Sequence, residues 1–230
     1  MSMRIMRSML ILASVLIVSS ASARQSSFAE YHKRAGQNDP AAQLSMGSFY
    51  ENGTGVPADQ VMARSWYTKA AMQGERTAQF NLAVFHMNGK GGPVDNEQAF
   101  KWMALAAEQG VALAQTNLAL MYDEGLGVAK NARMAFAWFR KAAEAGDVAA
   151  QVSLASMLRA GRGTERDFTA SAIWYRKAAE AGHPGAQERL AYLYSIGQGV
   201  PKDVKLSEKW KSLAQVAPPV ATAAIAIKAE

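Results

Sequence analysis

Few residues of this 230-residue chain combine the type and spacing that catalysis or metal binding requires. The three histidines, His32, His86 and His183, are far apart in the sequence. A metal site or an activated nucleophile needs several side chains that converge on one point. We therefore predict that no two histidines share a site, that the chain has no metal and no cofactor, and that His86 packs between helices.

Asp123 and Glu124 form a local carboxylate pair. Glycoside hydrolases place two carboxylates across a substrate cleft, whereas neighbouring residues on a helix point about 100° apart. Arg159 follows Asp123 by 36 residues. Three interpretations stay open: a structural Asp123–Arg159 pair, a contact with a partner, and catalysis. We assign no catalytic residue.

Two further patterns could suggest ligand binding, and both recur too regularly for that. Gly53-Thr54-Gly55 lacks the third glycine and the preceding strand of a dinucleotide-binding loop. A Gly-x-Gly motif also occurs five times. The five tryptophans follow one another at intervals of 36 residues, which favours core packing over a ligand cage: Trp66, Trp102, Trp138, Trp174 and Trp210.

The same 36-residue period runs through the chain. The heptapeptide RKAAEAG occurs at 140–146 and again at 176–182, and an Ala-Gln pair recurs in all five copies. Such self-similarity identifies a repeat array. The copies cover 38–73, 74–109, 110–145, 146–181 and 182–217.

Each copy has the pattern of two helices. A Gly-x-Gly motif ends the first helix, because glycine accepts the left-handed backbone of a sharp turn. An Asp or Asn then caps the second helix: Asp59, Asp95, Asn131, Asp167 and Asp203. One helical hairpin cannot bury both of its faces, so we predict an all-α fold, a right-handed α-solenoid of five helix-turn-helix repeats resembling a tetratricopeptide superhelix.

The two ends of the chain differ from the repeats. Arg4 and Arg7 precede an apolar run, Met9–Val18, and the small residues Ala21-Ser22-Ala23 follow. This pattern is typical of a cleavable signal peptide spanning residues 1–23, with the cut between Ala23 and Arg24. Residues 24–37 are predicted to form an N-terminal cap helix, and residues 218–230 a C-terminal cap helix or tail.

Composition limits the remaining possibilities. The formal charge is +6, and removing Arg4 and Arg7 leaves 23 basic against 19 acidic residues, or +4. There is no cysteine, so an exported chain would have neither disulfides nor a cysteine-linked lipid. We expect no nucleic-acid partner, no membrane span after cleavage, and location in the periplasm or outside the cell.

The third copy carries the repeat pattern most fully. Its members are Ala114, Gln115, Leu118, Ala119, Tyr122, Gly125, Gly127, Val128, Asn131, Ala135, Trp138, Phe139, Lys141, Ala142, Ala143, Glu144 and Gly146. This pattern resembles the Sel-one-like repeat over about residues 38–217. The related tetratricopeptide repeat has 34 residues and lacks the Gly-x-Gly between its helices.

The resemblance implies adaptor work. Similar bacterial proteins hold exported or membrane-bound partners together, some as regulators of sensor kinases. A cysteine-rich branch is linked to penicillin binding and β-lactam hydrolysis, but this chain has no cysteine. We therefore expect a periplasmic scaffold or regulator and no enzyme. The alternatives are a structural subunit of a secretion or flagellar machine, and an envelope hydrolase acting on β-lactams or cell wall.

By analogy with tetratricopeptide repeats, the first helices line a concave side. Their outward positions vary between copies, whereas the tryptophan and glycine positions do not. We predict that these positions bind a protein or peptide partner; burial between repeats is the alternative for the apolar ones. The predicted residues are Leu44, Glu51, Phe80, Val84, Met87, Leu113, Leu120, Asp123, Glu124, Val152, Arg159, Glu188 and Tyr192.

The export hypothesis predicts the mass of the mature protein. Cleavage after Ala23 leaves 230 − 23 = 207 residues, beginning at Arg24. Intact-mass spectrometry of the protein from a periplasmic extract should give this species. Recovery of the uncleaved chain from the cytoplasm would contradict the predicted localisation.

Overall fold

The computed structural model describes residues 28–216, and all regular secondary structure in that range is helical. It forms two compact units, unit 1 up to Val94 and unit 2 from Asp95. The unit boundary falls between the two helices of the second copy. The predicted all-α repeat fold is confirmed. The predicted signal peptide and the segment 218–230 lie outside the described residues.

Unit 1 contains four helices within residues 28–94, the part of it that the structure describes. Helix α1 covers residues 28–36, within the segment predicted as an N-terminal cap. It is followed by α2 (Pro40–Asn52), α3 (Gln60–Met72) and α4 (Arg76–Asn88). Helix α3 packs against both α2 and α4.

Unit 2 contains seven helices among the described residues, each packed on the next in the chain. They are α5 (Asn96–Glu108), α6 (Ala112–Glu124), α7 (Ala132–Glu144), α8 (Val148–Ala160), α9 (Phe168–Glu180), α10 (Pro184–Ile196) and α11 (Val204–Val216). First helices of a copy thus alternate with second helices, as the periodicity predicts.

The helices begin and end at the predicted residues. The Asp59 carboxylate accepts hydrogen bonds from the backbone N–H groups of Val61 (2.9 Å) and Met62 (3.0 Å) at the start of α3. Equivalent side chains cap α5, α7, α9 and α11. The first glycine of each Gly-x-Gly ends a first helix in the left-handed conformation, as at Gly125 with φ +76°. Local sequence therefore determines helix length.

The second glycine of the turn has a different role, because another backbone approaches it closely. Gly127 has φ +68°, and a Cβ there would overlap the carbonyl oxygen of Asn96, at the start of the preceding second helix. The same clash recurs one repeat later between Gly163 and Ala132. In unit 1 it occurs between Gly91 and Gln60. The second glycine thus allows one repeat to stack on the one before.

The glutamine of each Ala-Gln pair adds a hydrogen bond between repeats. Its side-chain amide donates to a carbonyl oxygen eight residues earlier, in the last turn of the preceding second helix. In unit 1, Gln79 donates to Ala71 at 3.3 Å. In unit 2, Gln115 donates to Ala107 at 3.2 Å and Gln187 to Ala179 at 3.0 Å. Each of these carbonyls also accepts a hydrogen bond from the backbone N–H of the glycine that follows the helix, so the glutamine supplies a second donor.

Four tryptophans pack in or on buried clusters, as predicted: Trp66 is itself buried, and Trp138, Trp174 and Trp210 are half-buried. In unit 2, Trp138 lies against a buried cluster around Phe139, and Trp174 contacts the next cluster, around Tyr175. The ammonium groups of Lys141 and Lys177 lie over the accessible faces of these two rings at 4.9 and 4.1 Å from the centroids. A cation over an indole face is an attractive arrangement.

Substitutions at two glycines of unit 2 separate the cost of a side chain at positive φ from the cost of a clash with neighbouring backbone. Gly127→Ala and Gly146→Ala both place a side chain at positive φ, but no atom lies within 4 Å of the Gly146 position. We expect about 1–2 kcal/mol of destabilisation at Gly146. At Gly127 we expect about 1–3 kcal/mol more, because the methyl group overlaps backbone.

Urea denaturation followed by circular dichroism at 222 nm measures both losses. Equal losses in the two variants would show that the contact between Gly127 and Asn96 does not hold the repeats together.

Candidate protein-binding surfaces

Unit 1 presents apolar side chains on α2 and α4 that the sequence assigns to a binding surface. Leu44, Phe80, Val84 and Met87 are all half-buried, while Leu82, at a position that is Leu or Met in every copy, is fully buried. The variable side chains are therefore reachable from solvent without belonging to the central core. Their role in binding stays a prediction.

Glu51, assigned to the same surface, is engaged within the protein. Its carboxylate accepts a hydrogen bond from the Tyr67 hydroxyl at 2.8 Å and lies 2.8 Å from the ammonium group of Lys90. That ammonium also lies 5.2 Å from the centroid of the Phe85 ring. Glu51 thus links α2 to α3 and to the turn after α4. Its main contacts hold unit 1 together.

The phenol of Tyr67 is buried against α2, where Gly47 leaves room for the ring: a Cβ at Gly47 would overlap it. Burial raises the pKa of Tyr67 well above its ordinary value of 10.0, and the hydrogen bond to Glu51 raises it further. Weaker hydrogen bonds with Asn81 and Ser48 act in the opposite direction. The hydroxyl therefore stays protonated in the folded state at pH values where the unfolded chain ionises.

Unit 2 carries the corresponding positions on α6 and α8. Leu113, Leu120 and Val152 are half-buried. Leu120 packs against the cluster around Phe139, and Val152 against the cluster around Tyr175. Leu120 and Val152 thus pack against the core and are still partly accessible to solvent. Glu124, at the end of α6, is exposed.

The structure corrects the predicted pairing of Asp123. Its carboxylate lies 3.0 Å from the guanidinium of Arg162, so the predicted Asp123–Arg159 pair is wrong. The Asp123 side chain is only 10% exposed and that of Arg162 51%. The turn after α8 carries Arg162 back over the carboxylate, whereas Arg159 lies on the helix, half-buried, with a buried Nε that has no hydrogen-bond partner among the described residues.

Both ion pairs between repeats follow one sequence offset. Arg162 lies 39 residues after Asp123 in unit 2, and Lys90 lies 39 residues after Glu51 in unit 1. In each case the acid is near the end of a first helix, and the base is the middle residue of the next Gly-x-Gly. This offset is visible in the sequence, but the 36-residue period directs attention to the wrong partner.

A groove of about 410 Å³ lies between α10 and α11. It is lined by two residues that the sequence assigns to the binding surface, Tyr192 and Glu188. Both are exposed, Tyr192 to 51%. Sequence reasoning did not assign the α11 side of the groove to the site, because it considered first helices alone. The lining residues are Glu188, Ala191, Tyr192, Ser195, Ser207, Lys211, Ala214 and Gln215.

The groove continues a face that is covered one repeat earlier. Tyr175, Ala178 and Ala179 occupy the positions equivalent to Lys211, Ala214 and Gln215, and all three are buried in the cluster that α10 completes. Lys211 and Gln215 replace the aromatic residue and the alanine of the repeat pattern, which is the sequence signal that this face differs.

The histidines have separate local roles. His86 is buried next to Arg64, whose Nη2 lies 2.9 Å from its Nδ1. Nδ1 of His183 accepts from Ala186 N–H at 3.2 Å and caps α10. Across residues 28–216, no three His, Asp or Glu side chains are grouped so that they could hold a metal ion. Over the same range, no helix has the length and apolar character needed to cross a bilayer.

Comparison with known families identifies the repeat. The model of the Sel1 repeat matches five times, at 40–75, 77–111, 112–147, 148–183 and 184–214. The chain belongs to the Sel1 repeat family. This repeat forms a scaffold fold that generally serves protein–protein interaction.

Two solved Sel1-type structures are similar to this one. A Sel1 repeat protein from Oxalobacter formigenes is 32% identical, with a TM-score of 0.81, covering 91% of this chain and 86% of that one. A protective antigen present in uropathogenic Escherichia coli strains, displaying an SLR fold, is 40% identical with a TM-score of 0.78. That match covers 80% of this chain and 40% of the antigen. No curated protein matches the chain.

The Sel1 repeats of this chain are not interchangeable in their interiors. Asn81 contacts the Tyr67 hydroxyl in unit 1. Its counterpart in the next repeat, Asn117, is fully buried, and its Oδ1 has no hydrogen-bond partner among the described residues. Met103 occupies the position equivalent to Tyr67 and offers no hydroxyl. Asn117 thus lacks the hydroxyl neighbour that Asn81 has in unit 1.

Tyr67→Phe tests this network. Because burial raises the pKa of Tyr67, its contribution to stability is present below about pH 10 and is lost as the pH rises above the unfolded value. We expect the variant to lose about 1 kcal/mol at pH 7. Its stability should also fall less steeply between pH 10 and 11 than that of the parent.

Tyr192→Phe is the matched control, since the same hydroxyl is removed from an exposed side chain. Urea denaturation at pH 7, 10 and 11 compares the three proteins. Identical behaviour of the two variants would contradict a structural role for the Tyr67–Glu51 hydrogen bond.

Proposed function

We propose that this Sel1 repeat protein is an exported scaffold or regulator that captures a partner protein or peptide on the accessible face of its first helices. The partner class that fits is a periplasmic protein or the periplasmic domain of a membrane protein, such as a sensor kinase or a component of an envelope assembly. A structural subunit of such an assembly would use the same surface.

The observation that carries this proposal is the contrast between variable and invariant positions on the first helices. In unit 1, Phe80 and Val84 are half-buried, while the invariant Ala78 and Leu82, whose position is Leu or Met in every copy, are buried at 0% and 1% exposure. A side chain needed only for stacking would be both repeated and buried. Large apolar side chains that are neither repeated nor fully buried are available as anchors for a partner.

Unit 2 supports the proposal independently. Leu120 and Val152 are partly accessible, and Tyr192 is exposed at the rim of the groove between α10 and α11. Tyrosine is enriched at protein interfaces because its ring contributes area and its hydroxyl a hydrogen bond. A helix or extended peptide that lies on these positions would contact Glu188 as a charged neighbour able to select orientation.

Export is the part of the proposal that rests on the sequence. The predicted cleavage between Ala23 and Arg24 precedes residues 28–36, the described part of α1. Processing at this position would remove none of the described helices. The aromatic contacts of α1, such as Phe28 with Phe49 at a centroid distance of 5.8 Å, would remain in the mature chain.

Partner capture can be measured with point variants on the proposed surface. The mature chain, used as bait in an envelope extract followed by mass spectrometry, identifies the main partner. Phe80→Asp in unit 1 and Leu120→Asp in unit 2 should each weaken its capture at least tenfold, about 1.4 kcal/mol, because a charge replaces an apolar anchor. Tyr192→Asp tests the groove in the same assay.

The matched controls place the same charge on exposed positions of second helices. Ser65→Asp on α3 pairs with Phe80→Asp, and Ala137→Asp on α7 pairs with Leu120→Asp. Normal melting with unchanged binding in all the surface variants would show that the partner binds elsewhere. A sharp fall in melting temperature for Phe80→Asp alone would assign that side chain to the packing between repeats.

A further inference from the structure

We propose that unit 2 has a second interaction surface, which binds an acidic protein segment. It is the edge formed by the turns that join α6 to α7, α8 to α9 and α10 to α11, together with the first turn of each following helix. We call it the basic turn edge. It is distinct from the first-helix face, and it does not depend on that face binding a partner.

Three exposed cations occupy equivalent positions along this edge. Lys130, Arg166 and Lys202 each lie five residues after the first glycine of their own turn. Each side chain begins against that glycine: a Cβ at Gly125 would be 2.7 Å from Cγ of Lys130, and one at Gly197 would be 3.2 Å from Cβ of Lys202. The turn therefore fixes the base of each side chain in the same way in all three repeats.

Two more cations extend the row into the helices. Arg133 and Lys205 are exposed in the first turns of α7 and α11. Neither these two nor the three turn cations form an ion pair with any described residue, whereas Arg162, also on this edge, is paired with Asp123. Five cations at one edge of unit 2 thus remain available to a partner.

The three acidic residues of this edge, Glu165, Asp167 and Asp203, offset only part of the charge of the five unpaired cations. Asp167 and Asp203 accept hydrogen bonds from helix N–H groups of Ala170 (2.8 Å) and Leu206 (2.9 Å), and the equivalent residue in the third copy is the neutral Asn131. The N-termini of three helices add positive partial charge at the same edge. Glu165 and Asp167 are exposed, and five unpaired cations against three carboxylates leave an excess of two positive charges on the edge.

The arrangement selects the class of partner. The cations follow a line of turns, one or two for each repeat, which suits the carboxylates of a polypeptide segment. A surface for single-stranded nucleic acid would combine such cations with aromatic side chains for base stacking, whereas the aromatic residue of this edge, Phe168, is half-buried beneath the Arg166 guanidinium at 5.8 Å. In unit 1 the equivalent positions are Ala58 and Val94, so the charge is a feature of unit 2.

The test uses the full mature chain and a fluorescein-labelled peptide of alternating Glu and Ser, with binding followed by fluorescence anisotropy at low salt. The triple variant Lys130→Glu, Arg166→Glu and Lys202→Glu should bind at least tenfold more weakly. Binding by the parent should also weaken as salt rises, because exposed charges are screened.

The control triple variant carries the same charge change at exposed positions of unit 2 outside the basic turn edge: Lys101→Glu, Arg140→Glu and Arg189→Glu. It should retain most of the peptide binding. Equal loss in both triple variants would overturn the proposal, because it would assign the binding to net charge. The neutral triple variant Lys130→Gln, Arg166→Gln and Lys202→Gln must also lose peptide binding, but less than the triple variant with glutamates.

Two further measurements separate this proposal from its rivals. Binding of the parent to phosphatidylserine vesicles without binding to the peptide would overturn it in favour of a lipid surface. Peptide binding by the variant Phe80→Asp distinguishes the two surfaces. This substitution should weaken capture of the main partner and leave peptide binding at the basic turn edge unchanged. Loss of peptide binding in that variant, with normal melting, would contradict a separate surface.

Discussion

The close contact between a glycine and a backbone carbonyl organises the stacking of repeats within each unit. The second glycine of a Gly-x-Gly lies against the first residue of the preceding second helix, as Gly127 does against Asn96. No side chain fits between them, and the positive φ at this glycine disfavours any other residue. The contact sets where the next repeat starts, and so places every other contact between neighbouring repeats.

Polar contacts then secure that placement. The glutamines donate to carbonyls at the end of the previous second helix, as Gln115 does to Ala107. Buried amides of this kind are stabilising only when they have partners. The ion pairs Glu51–Lys90 and Asp123–Arg162 add connections that differ in chemistry from repeat to repeat. They tie the first helices to the next turn and remove charges that would otherwise be free for a partner.

The same helices therefore divide their surface between stacking and binding. Alanines and leucines of the repeat pattern are buried, while the variable apolar side chains, such as Phe80 and Leu120, are shared between core and solvent. The turns of unit 2 carry a third kind of surface, exposed cations held at equivalent positions. A scaffold built from one repeated unit can in this way present different chemistry on different sides, because each position of the repeat always points in the same direction.

The sequence by itself determined the architecture. Its 36-residue period, the glycines at the turns and the capping residues such as Asp59 predict helices α2 to α11, because glycine turns and caps act over a few neighbouring residues. The sequence also indicated which positions of the first helices are variable. The tertiary structure alone decided which of these side chains form contacts within the protein. Glu51 is bound by Tyr67 and Lys90, and Asp123 is paired with Arg162 and not with Arg159. The α11 side of the groove likewise became visible only in three dimensions. Such pairings depend on how far a turn carries a side chain back across the previous repeat. The 36-residue spacing of the sequence does not specify that distance.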